Sequence, residues 1–443
     1  MTAIYTKKAT KMKPASRINA TIEILESTQR ARVPLNKCVG DYMRPRRYIG
    51  AKDRSNVAER IYDMTRAHAR IGWWLEKLGI EDNPRNRVII WLVLGEGADE
   101  RRLKDLLDGS NYAPEMLTYE ETDIVKKLLA LGSELEHEDM PDAVRVECPA
   151  QHEQSLKAFF GDDFEAEMRA MLKPATLDLR VNTFLIDREN AKRSLEKDGI
   201  KTVLGKLSPW ALRCENKAFL SHSKAFKKGW IEIQDEGSQL IAWLCGAQPS
   251  MQILDYCAGG GGKTLALAAA MERKGRIVAM DNDAKRLENG RKRYKKAGLA
   301  DIIEVRALSD ERHKKWLKRQ KEKFDIVLTD VPCSGSGTWR RNPDTRWQNF
   351  GPSLDELTEI QAEIIDKAAK NVKVGGYLIY ATCSLFQSEN EEQIEKFLKN
   401  HPEFEVEAID EKLGIGSPYM RLTPHRHETD GFFTAVLKKT SSQ

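Results

Sequence analysis

From residue 236 onward, short apolar runs alternate with longer amphipathic stretches, and this alternation limits the possible folds more than any other feature of the sequence. The apolar runs have the length of buried strands, whereas the amphipathic stretches repeat their apolar residues at helical spacing. Strands that alternate with helices form a parallel sheet covered on both faces. We therefore predict a doubly wound α/β domain over residues 236–440. Its predicted strands are 252–256, 276–281, 302–308, 324–330 and 374–384.

The chain has 443 residues, more than one hydrophobic core usually holds, and its pattern changes twice before residue 236. Residues 1–17 carry five basic residues and no acid, which predicts a disordered tail that either contacts phosphates or is simply solvated. Residues 18–145 repeat their apolar residues at helical spacing and predict an all-helical domain. Residues 146–235 mix helical and strand patterns, so we predict a small α+β module there.

Several classes of protein are excluded by composition. No stretch approaches the roughly 18 apolar residues of a membrane span, and the N-terminus lacks the apolar segment of a secretory signal. The seven cysteines are scattered without a C-x-x-C pair, and the eight histidines show no ligand spacing. These features argue against a disulfide framework or a metal site and predict a monomer in the reducing cytoplasm.

Carboxylates and thiols follow the predicted strands. Ligands of a doubly wound sheet bind beyond the carboxyl ends of its strands, so residues that stand there are candidates for chemistry. We expect three carboxylates and two thiols to meet at this rim. They are Asp255, Asp281, Asp330, Cys333 and Cys383.

A glycine-rich loop, Gly259–Gly262, follows the first of these strands. Glycines let the backbone approach a ligand closely, and Asp281 stands about twenty residues further on, where an acid can bind ribose hydroxyls. This arrangement predicts a nucleoside-bearing cofactor. A nucleotide hydrolase is the rival, but its phosphate-binding loop requires a glycine at the position that Cys257 occupies.

Two of the cysteines have a setting that suits catalysis. A buried cysteine is usually a small apolar core residue, which we expect for Cys38, Cys148, Cys214 and Cys245. Cys333 and Cys383 differ because each follows a strand at the ligand rim, where a thiolate can attack an electron-poor ring carbon. A thiolate that adds to carbon 6 of cytosine makes carbon 5 nucleophilic enough to accept a methyl group. One thiol would add, and the other would assist release.

The strings ILDYCAGGGGKT, DVPCSGSGTWRRNPDTRW, YATCS and DGFF, with RVNT and IQDEGSQL upstream, resemble the bacterial Sun/Fmu-type RNA (cytosine-5)-methyltransferases over residues 175–440. The resemblance implies a Rossmann-like class I methyltransferase domain over residues 236–440, preceded by an RNA-recognition-like module over 146–235. Residues 18–145 resemble the NusB-like RNA-binding domain of the members that act on small-subunit ribosomal RNA, chiefly through residues 58–79.

The resemblance also implies roles for individual residues. It implies that Cys383 is the nucleophile, that Cys333 helps to release the product, and that Asp330 holds the cytosine edge near the methyl donor. The implied cofactor is S-adenosylmethionine, with its ribose bound by Asp281. The other residues implied to line the cofactor site are Cys257, Ala258, Gly259, Gly260, Gly261, Gly262 and Lys263.

Arginines in two of the matching segments are candidate RNA contacts. Arg180 lies in RVNT, and RRNPDTRW contributes Arg340, Arg341 and Arg346. The last three either contact RNA phosphate, order the loop around the active site, or pair with local acids such as Asp344.

The sequence departs from the family pattern at two places. The family usually has Ala-Pro-Gly-Gly in the cofactor loop, and here Gly259 and Gly260 replace Ala-Pro, which loosens the loop and weakens its hold on the cofactor. The family also has an acid after the third strand, where this chain offers Ser309 or Asp310, and neither is assigned.

The implied function is methyl transfer from S-adenosylmethionine to carbon 5 of a cytosine in small-subunit ribosomal RNA, through a covalent Cys383–cytosine intermediate. The alternative is a non-catalytic RNA-binding factor for ribosome assembly that keeps the fold, and the loosened cofactor loop motivates it. DNA cytosine methyltransferases share the chemistry but keep their nucleophile in the Pro-Cys motif, so the cysteine of YATCS points to RNA.

Overall fold

The computed structural model describes residues 12–132 and 134–441. Contacts divide the chain into two compact units. The first unit contains the described residues up to Leu172 together with Trp339–Gly351, and the second contains Lys173–Thr338 and the described residues from Pro352 onward. The chain therefore leaves the second unit directly after the segment that carries Cys333.

The first unit is helical, which confirms the prediction for residues 18–145, whereas the likeness to NusB stays a prediction. Its helices are α1 (Pro14–Ala31), α2 (Leu35–Met43), α3 (Ala51–Arg66), α4 (His68–Leu78), α5 (Pro84–Ile90), α6 (Glu100–Leu106), α7 (Tyr119–Leu131), α8 (Asp142–Arg145), α9 (Ala150–Phe160) and α10 (Phe164–Ala170). Because α1 begins at Pro14, a favoured residue in the first turn, residues 14–17 are helical and the predicted tail is wrong there. Residues 1–11 of that tail lie outside the described residues.

Trp74 anchors the core of the first unit. Its side chain is fully buried among apolar residues of several helices, and its indole Nε1 donates to the carbonyl oxygen of Leu135 at 2.8 Å. Burying an indole is favourable when its polar N–H finds a partner in this way.

The segment Trp339–Gly351 is part of this helical unit. The backbone N–H of Leu35 donates to Asp344 at 2.8 Å, and the ring of Trp347 stacks on His68 with centroids 4.7 Å apart. Arg346 donates to the carbonyl oxygen of Glu147 at 3.2 Å. The basic, aromatic half of the Pro-Cys string is therefore built into the core of a unit other than the one that carries Cys333.

The second unit begins with a small antiparallel sheet of order β2-β3-β1-β4. Its elements are β1 (Asp178–Val181), α11 (Arg188–Lys197), β2 (Thr202–Leu204), β3 (Ala211–Cys214), α12 (Lys224–Lys227) and β4 (Ile231–Ile233). Leu179, Leu195 and Ile231 are buried in the core between the sheet and its helices. The predicted α+β module is confirmed, although the helices before residue 172 group with the first unit.

The rest of the second unit alternates strands and helices around one large sheet. Its elements are α13 (Glu236–Leu244), β5 (Gln252–Asp255), α14 (Gly262–Ala270), β6 (Arg276–Asp281), α15 (Ala284–Lys296), β7 (Ile303–Ala307), α16 (Glu311–Lys318), β8 (Phe324–Asp330), α17 (Leu354–Ala369), β9 (Val372–Thr382), α18 (Glu391–Asn400), β10 (Phe404–Val406), β11 (Met420–Leu422), α19 (Pro424–His427) and β12 (Phe432–Lys439).

The large sheet confirms the predicted fold class. Strands β9, β8, β5, β6 and β7 lie side by side in that order and pair in parallel. The sheet is nevertheless mixed, because β12 pairs antiparallel with β9, and β10 and β11 pair antiparallel with β12. These C-terminal strands were not predicted.

Both faces of the central strands are buried, as a parallel sheet requires. Ile326 and Leu328 of β8 pack in one apolar cluster, whereas Val327 between them packs in another. Successive side chains of a strand point to opposite faces, so the two clusters are the two layers of helices against the sheet. No helix in the described part of the chain combines the length and apolar character needed to cross a bilayer.

Candidate active site

A cavity of 1250 Å³ opens at the carboxyl ends of the central strands, entirely within the second unit. All five strand-end residues that the sequence assigned to one rim line this cavity. They are Asp255, Asp281, Asp330, Cys333 and Cys383. Lys263 and most of the glycine-rich loop line it as well.

The glycine-rich loop leads from β5 into α14 and is fixed by its surroundings. Gly259 and Gly261 have φ angles of 54° and 77°, in the left-handed region that favours glycine. A Cβ atom on Gly261 would stand 2.1 Å from the hydroxyl oxygen of Tyr294, so no side chain fits there. The N–H of Gly259 donates to Asp281 Oδ2 at 2.8 Å, which ties the loop to the end of β6.

Lys263 and Asp330 form an ion pair at the floor of the cavity, with Nζ and Oδ2 2.6 Å apart. Burial favours the neutral amine, but the carboxylate of Asp330 outweighs it and raises the pKa of Lys263. The lysine therefore stays charged beside the thiols, where it can hold a carboxylate or polarise a ligand.

The two thiols are in contact. The Sγ atoms of Cys333 and Cys383 are 3.3 Å apart, although the residues lie on different loops of the chain. The hydrogen bond to Cys383, together with burial, raises the pKa of Cys333 well above its ordinary value. At neutral pH Cys333 is therefore a thiol that can donate its proton toward the sulfur of Cys383.

Sequence reasoning missed Glu389, a fully buried residue that connects the two thiol loops. Its carboxyl group accepts from the backbone N–H of Ser334 at 2.8 Å and also from the hydroxyl of Ser384. Ser334 follows Cys333 and Ser384 follows Cys383, so one side chain holds both neighbours of the thiols. Gln361 of α17 donates to the same carboxyl group and to the carbonyl oxygen of Pro332, each at 2.9 Å.

Asp255 has a raised pKa because it is buried. Its Oδ2 accepts from Thr264 Oγ1 at 2.6 Å, whereas Oδ1 has no hydrogen-bond partner among the described residues. Burial, supported by the charges of Asp330 and Asp281, raises the pKa of Asp255 to about 7. The carboxyl group is therefore poised to titrate near neutrality.

Neither candidate for the acid that the family has after the third parallel strand, here β7, lies in the cavity. After β7 the residue that lines it is Leu308, and Asp310 instead caps α16 by accepting from the N–H of Arg312 at 2.8 Å. Neither Ser309 nor Asp310 is a lining residue.

The candidate RNA contacts differ in burial. Arg180 is 3% exposed, and its guanidinium donates to the carbonyl oxygen of Gly262 and to Gln234. Arg340 and Arg346, which belong to the first unit, are 5% and 4% exposed. A phosphate cannot reach guanidinium groups buried to this extent, so the prediction that these three contact RNA is not retained. Arg341, which is partly exposed, stays a prediction.

The other cysteines behave as core residues. The four that the sequence assigned to the core, Cys38, Cys148, Cys214 and Cys245, are buried. Burial raises the pKa of Cys148 and of Cys214 to about 11, so both stay thiols at neutral pH. Within the described ranges, no three His, Cys, Asp or Glu side chains are grouped closely enough to hold a metal ion.

Replacing Glu389 with Ala should separate the thiol loops. The change leaves the N–H of Ser334 and the side chain of Gln361 without their acceptor, so we expect unfolding free energy to fall by about 2–4 kcal/mol. We also expect diamide to close a Cys333–Cys383 disulfide more slowly, as measured by thiol titration. Glu392→Ala, at an exposed position of α18, is the matched control. An unchanged oxidation rate would contradict the positioning role.

Asp255 should make stability depend on pH. Because its folded pKa of about 7 lies above its ordinary value of 3.8, the folded state keeps a proton that the unfolded state releases. Its contribution is complete below pH 3.8 and is lost as pH rises through about 7. We expect Asp255→Asn to reduce this loss in urea unfolding between pH 5 and 8. Asp301→Asn, with a side chain 51% exposed, is the control, and equal pH profiles for wild type and Asp255→Asn would contradict the assignment.

Comparison with known proteins gives two family matches, one over the large-sheet domain and one that starts in the last helices of the first unit and continues into the small antiparallel module. The family model described as "16S rRNA methyltransferase RsmB/F" matches residues 242–438, and the "Methyltr_RsmF/B-like, ferredoxin-like domain" matches residues 153–219. The crystal structure of PH0851 is 28% identical, with a TM-score of 0.78, and the match covers 98% of this chain and 100% of that one.

Curated relatives point the same way. The probable ribosomal RNA small subunit methyltransferase B of Synechocystis sp. is 34% identical over 271 residues, which is 60% of each chain. The ribosomal RNA small subunit methyltransferase B of Vibrio cholerae is 33% identical over 302 residues, or 67% of each chain. The match thus spans about 60% of the first of these relatives and two thirds of the second. The chain belongs to the RsmB/F family of 16S rRNA methyltransferases.

Proposed function

We propose that this protein transfers a methyl group from S-adenosylmethionine to carbon 5 of a cytosine in small-subunit ribosomal RNA, and that it does so in the cytoplasm. The observation that carries the proposal is the contact between the thiols of Cys333 and Cys383, at 3.3 Å, in the cavity that the Lys263–Asp330 ion pair also lines. In the methylation of carbon 5, one thiol can add to the base while the adjacent thiol assists its release.

The residues of the cavity fit the cofactor. The glycine-rich loop lines the cavity without side chains, so a ligand can approach its backbone, and α14 begins at Gly262 within it. Asp281 lies at the end of β6 with a carboxylate that can accept ribose hydroxyls in addition to its backbone donors. Bound S-adenosylmethionine would supply an electrophilic methyl group to the target carbon.

Cys383 would begin the reaction as a thiolate. Its sulfur forms a bond to carbon 6 of the cytosine, and the electrons of the 5,6 double bond make carbon 5 nucleophilic. Asp330, held by its ion pair with Lys263, would bind the polar edge of the base. The electron pair at carbon 5 takes the methyl group, whose bond to the sulfonium sulfur breaks and leaves S-adenosylhomocysteine. Solvent water then takes the carbon-5 proton, which restores the double bond and expels the sulfur of Cys383 from carbon 6 with its electron pair.

Cys333 would act in the release step. Its raised pKa keeps the proton on sulfur, and that S–H lies within hydrogen-bond distance of the sulfur of Cys383. A donor at this position stabilises Cys383 as it leaves the ring with its electron pair. Without Cys333, the adduct should form but should persist.

The substrate class follows from the family and from the depth of the thiols. Relatives of this chain carry the name ribosomal RNA small subunit methyltransferase B, which makes ribosomal RNA the substrate to test first. A base can reach a half-buried thiol only when it is unpaired or flipped out of its helix. The target should therefore be a cytosine in a loop or in an incompletely assembled subunit.

The alternative is an RNA-binding assembly factor without activity, which the replacement of Ala-Pro by glycines motivated. Labelled S-adenosylmethionine and unmodified ribosomal RNA separate the two functions, since only the enzyme places label on cytosine. Calorimetry reports cofactor binding independently. A protein that binds RNA but neither binds the cofactor nor labels cytosine would support the assembly factor.

The two thiols should give opposite results when each is removed. We expect Cys333→Ala to accumulate a covalent RNA adduct that survives denaturing electrophoresis, because the first bond forms and release fails. We expect Cys383→Ala to form no adduct and to lose methyl transfer by roughly a thousandfold or more. Cys38→Ala in the helical unit serves as control. Equal behaviour of the two active-site variants would contradict this division of roles.

A further inference from the structure

Two arginines hydrogen-bond to the backbone of the glycine-rich loop. Arg293 of α15 donates from Nη1 to the carbonyl oxygen of Gly260 at 2.6 Å. Arg180 of β1 donates to the carbonyl oxygen of Gly262 from a fully buried position. The carbonyl groups of Gly260 and Gly262, on both sides of Gly261, are therefore hydrogen-bonded, and Arg293 lines the cavity together with the loop.

Glu232 sets the orientation of Arg293. The Nε and Nη2 atoms of Arg293 lie 3.0 and 2.9 Å from one carboxylate oxygen of Glu232, whose side chain is 7% exposed. Lys296, one turn along α15, lies 3.7 Å from the other oxygen. With two of its nitrogens held by the carboxylate, the guanidinium presents Nη1 to the loop in one direction.

The loop needs such support because of its composition. Gly259 and Gly260 stand where the resembling family usually has Ala-Pro, and glycines enlarge the range of conformations that a free loop can adopt. Fixing such a loop costs more conformational entropy on ligand binding unless the protein fixes it beforehand. A hydrogen bond from a charged donor to the Gly260 carbonyl is a direct way to do so.

The guanidinium of Arg293 lies beside Gly260. A Cβ atom on Gly260 would stand 3.4 Å from Nη1 of Arg293, at the edge of ordinary contact. An alanine side chain at this position would therefore touch the guanidinium without displacing it. The hydrogen bond from Arg293 to Gly260 thus restricts the loop, as the stiffer Ala-Pro pair does in the resembling family.

We infer that Arg293, oriented by Glu232, is a positioning residue that holds the glycine-rich loop in the conformation that binds S-adenosylmethionine. The inference rests on the proposed function, because it concerns the same cofactor site. Arg293 lines the cavity, but its hydrogen bonds go to Gly260 and Glu232 and not to either thiol, so it acts on cofactor affinity and not on the chemical step. Glu232 belongs to β4, which makes the small antiparallel module part of the cofactor site.

The test replaces Arg293 in the full-length protein. We expect Arg293→Ala to raise the Kd for S-adenosylmethionine roughly tenfold by calorimetry, while kcat at saturating cofactor stays within about twofold. In the absence of cofactor, amide hydrogen exchange at residues 259–262 should be faster in this variant. Arg293→Lys keeps the positive charge and one donor nitrogen, so its Kd and exchange rates should lie between those of the wild type and those of Arg293→Ala. Arg291→Ala, on the same helix with a side chain 50% exposed, is the matched control.

A double-mutant cycle tests the link between Arg293 and Gly260. Alanine narrows the conformations of a loop, so Gly260→Ala should recover about two- to fivefold in cofactor affinity when Arg293 is already Ala. In the wild-type background the same change should leave affinity within about twofold, because the hydrogen bond from Arg293 already restricts the loop. Equal effects in both backgrounds would contradict the link.

The outcomes separate this inference from the proposed function. Wild-type cofactor affinity and exchange in Arg293→Ala would overturn the inference alone. A lower kcat at saturating cofactor with unchanged Kd would also overturn it, since the arginine would then act elsewhere. If the wild-type protein binds no S-adenosylmethionine, the proposed function fails, and the inference fails with it.

Discussion

Parallel pairing between β8 and β9 is the constraint on which the site depends. It sets Asp330 opposite Ala381, so that the loops leaving both strands start at the same height and their thiols meet at 3.3 Å. The pairing alone does not fix two flexible loops. The buried carboxyl group of Glu389 completes it by binding the residues that follow both cysteines.

The strand ends of the site could be predicted from sequence, because they follow local rules. Apolar runs mark the strands, and the rule that ligands bind at their carboxyl ends predicts that Asp281 and Cys383 lie at one rim. A pattern of apolar residues does not indicate which polar residues are buried. On α17, Gln361 is as fully buried as the neighbouring Ile365, because its amide donates to the carbonyl oxygen of Pro332 and to Glu389.

The other features that could not be predicted depend on packing between residues that are distant along the chain. Trp339–Gly351 is contiguous with the Pro-Cys string but belongs to the helical unit, where Arg346 is buried. No local signal distinguishes a basic loop that faces RNA from one that packs in a core. The same holds for Arg293, whose partners Glu232 and Gly260 are distant in sequence.

The titratable groups around the cavity hold different protonation states because their neighbours differ. Lys263 stays charged through Asp330, and Cys333 stays a thiol through its hydrogen bond to Cys383. In the proposed reaction, Cys383 bonds to carbon 6 of cytosine. Ribosomal RNA transcribed with 5-fluorocytidine tests it most directly, because fluorine at carbon 5 blocks release after methylation. Peptide mass spectrometry should find the methylated base on the peptide that carries Cys383; a base on Cys333, or no adduct from protein that binds the cofactor, would contradict the account.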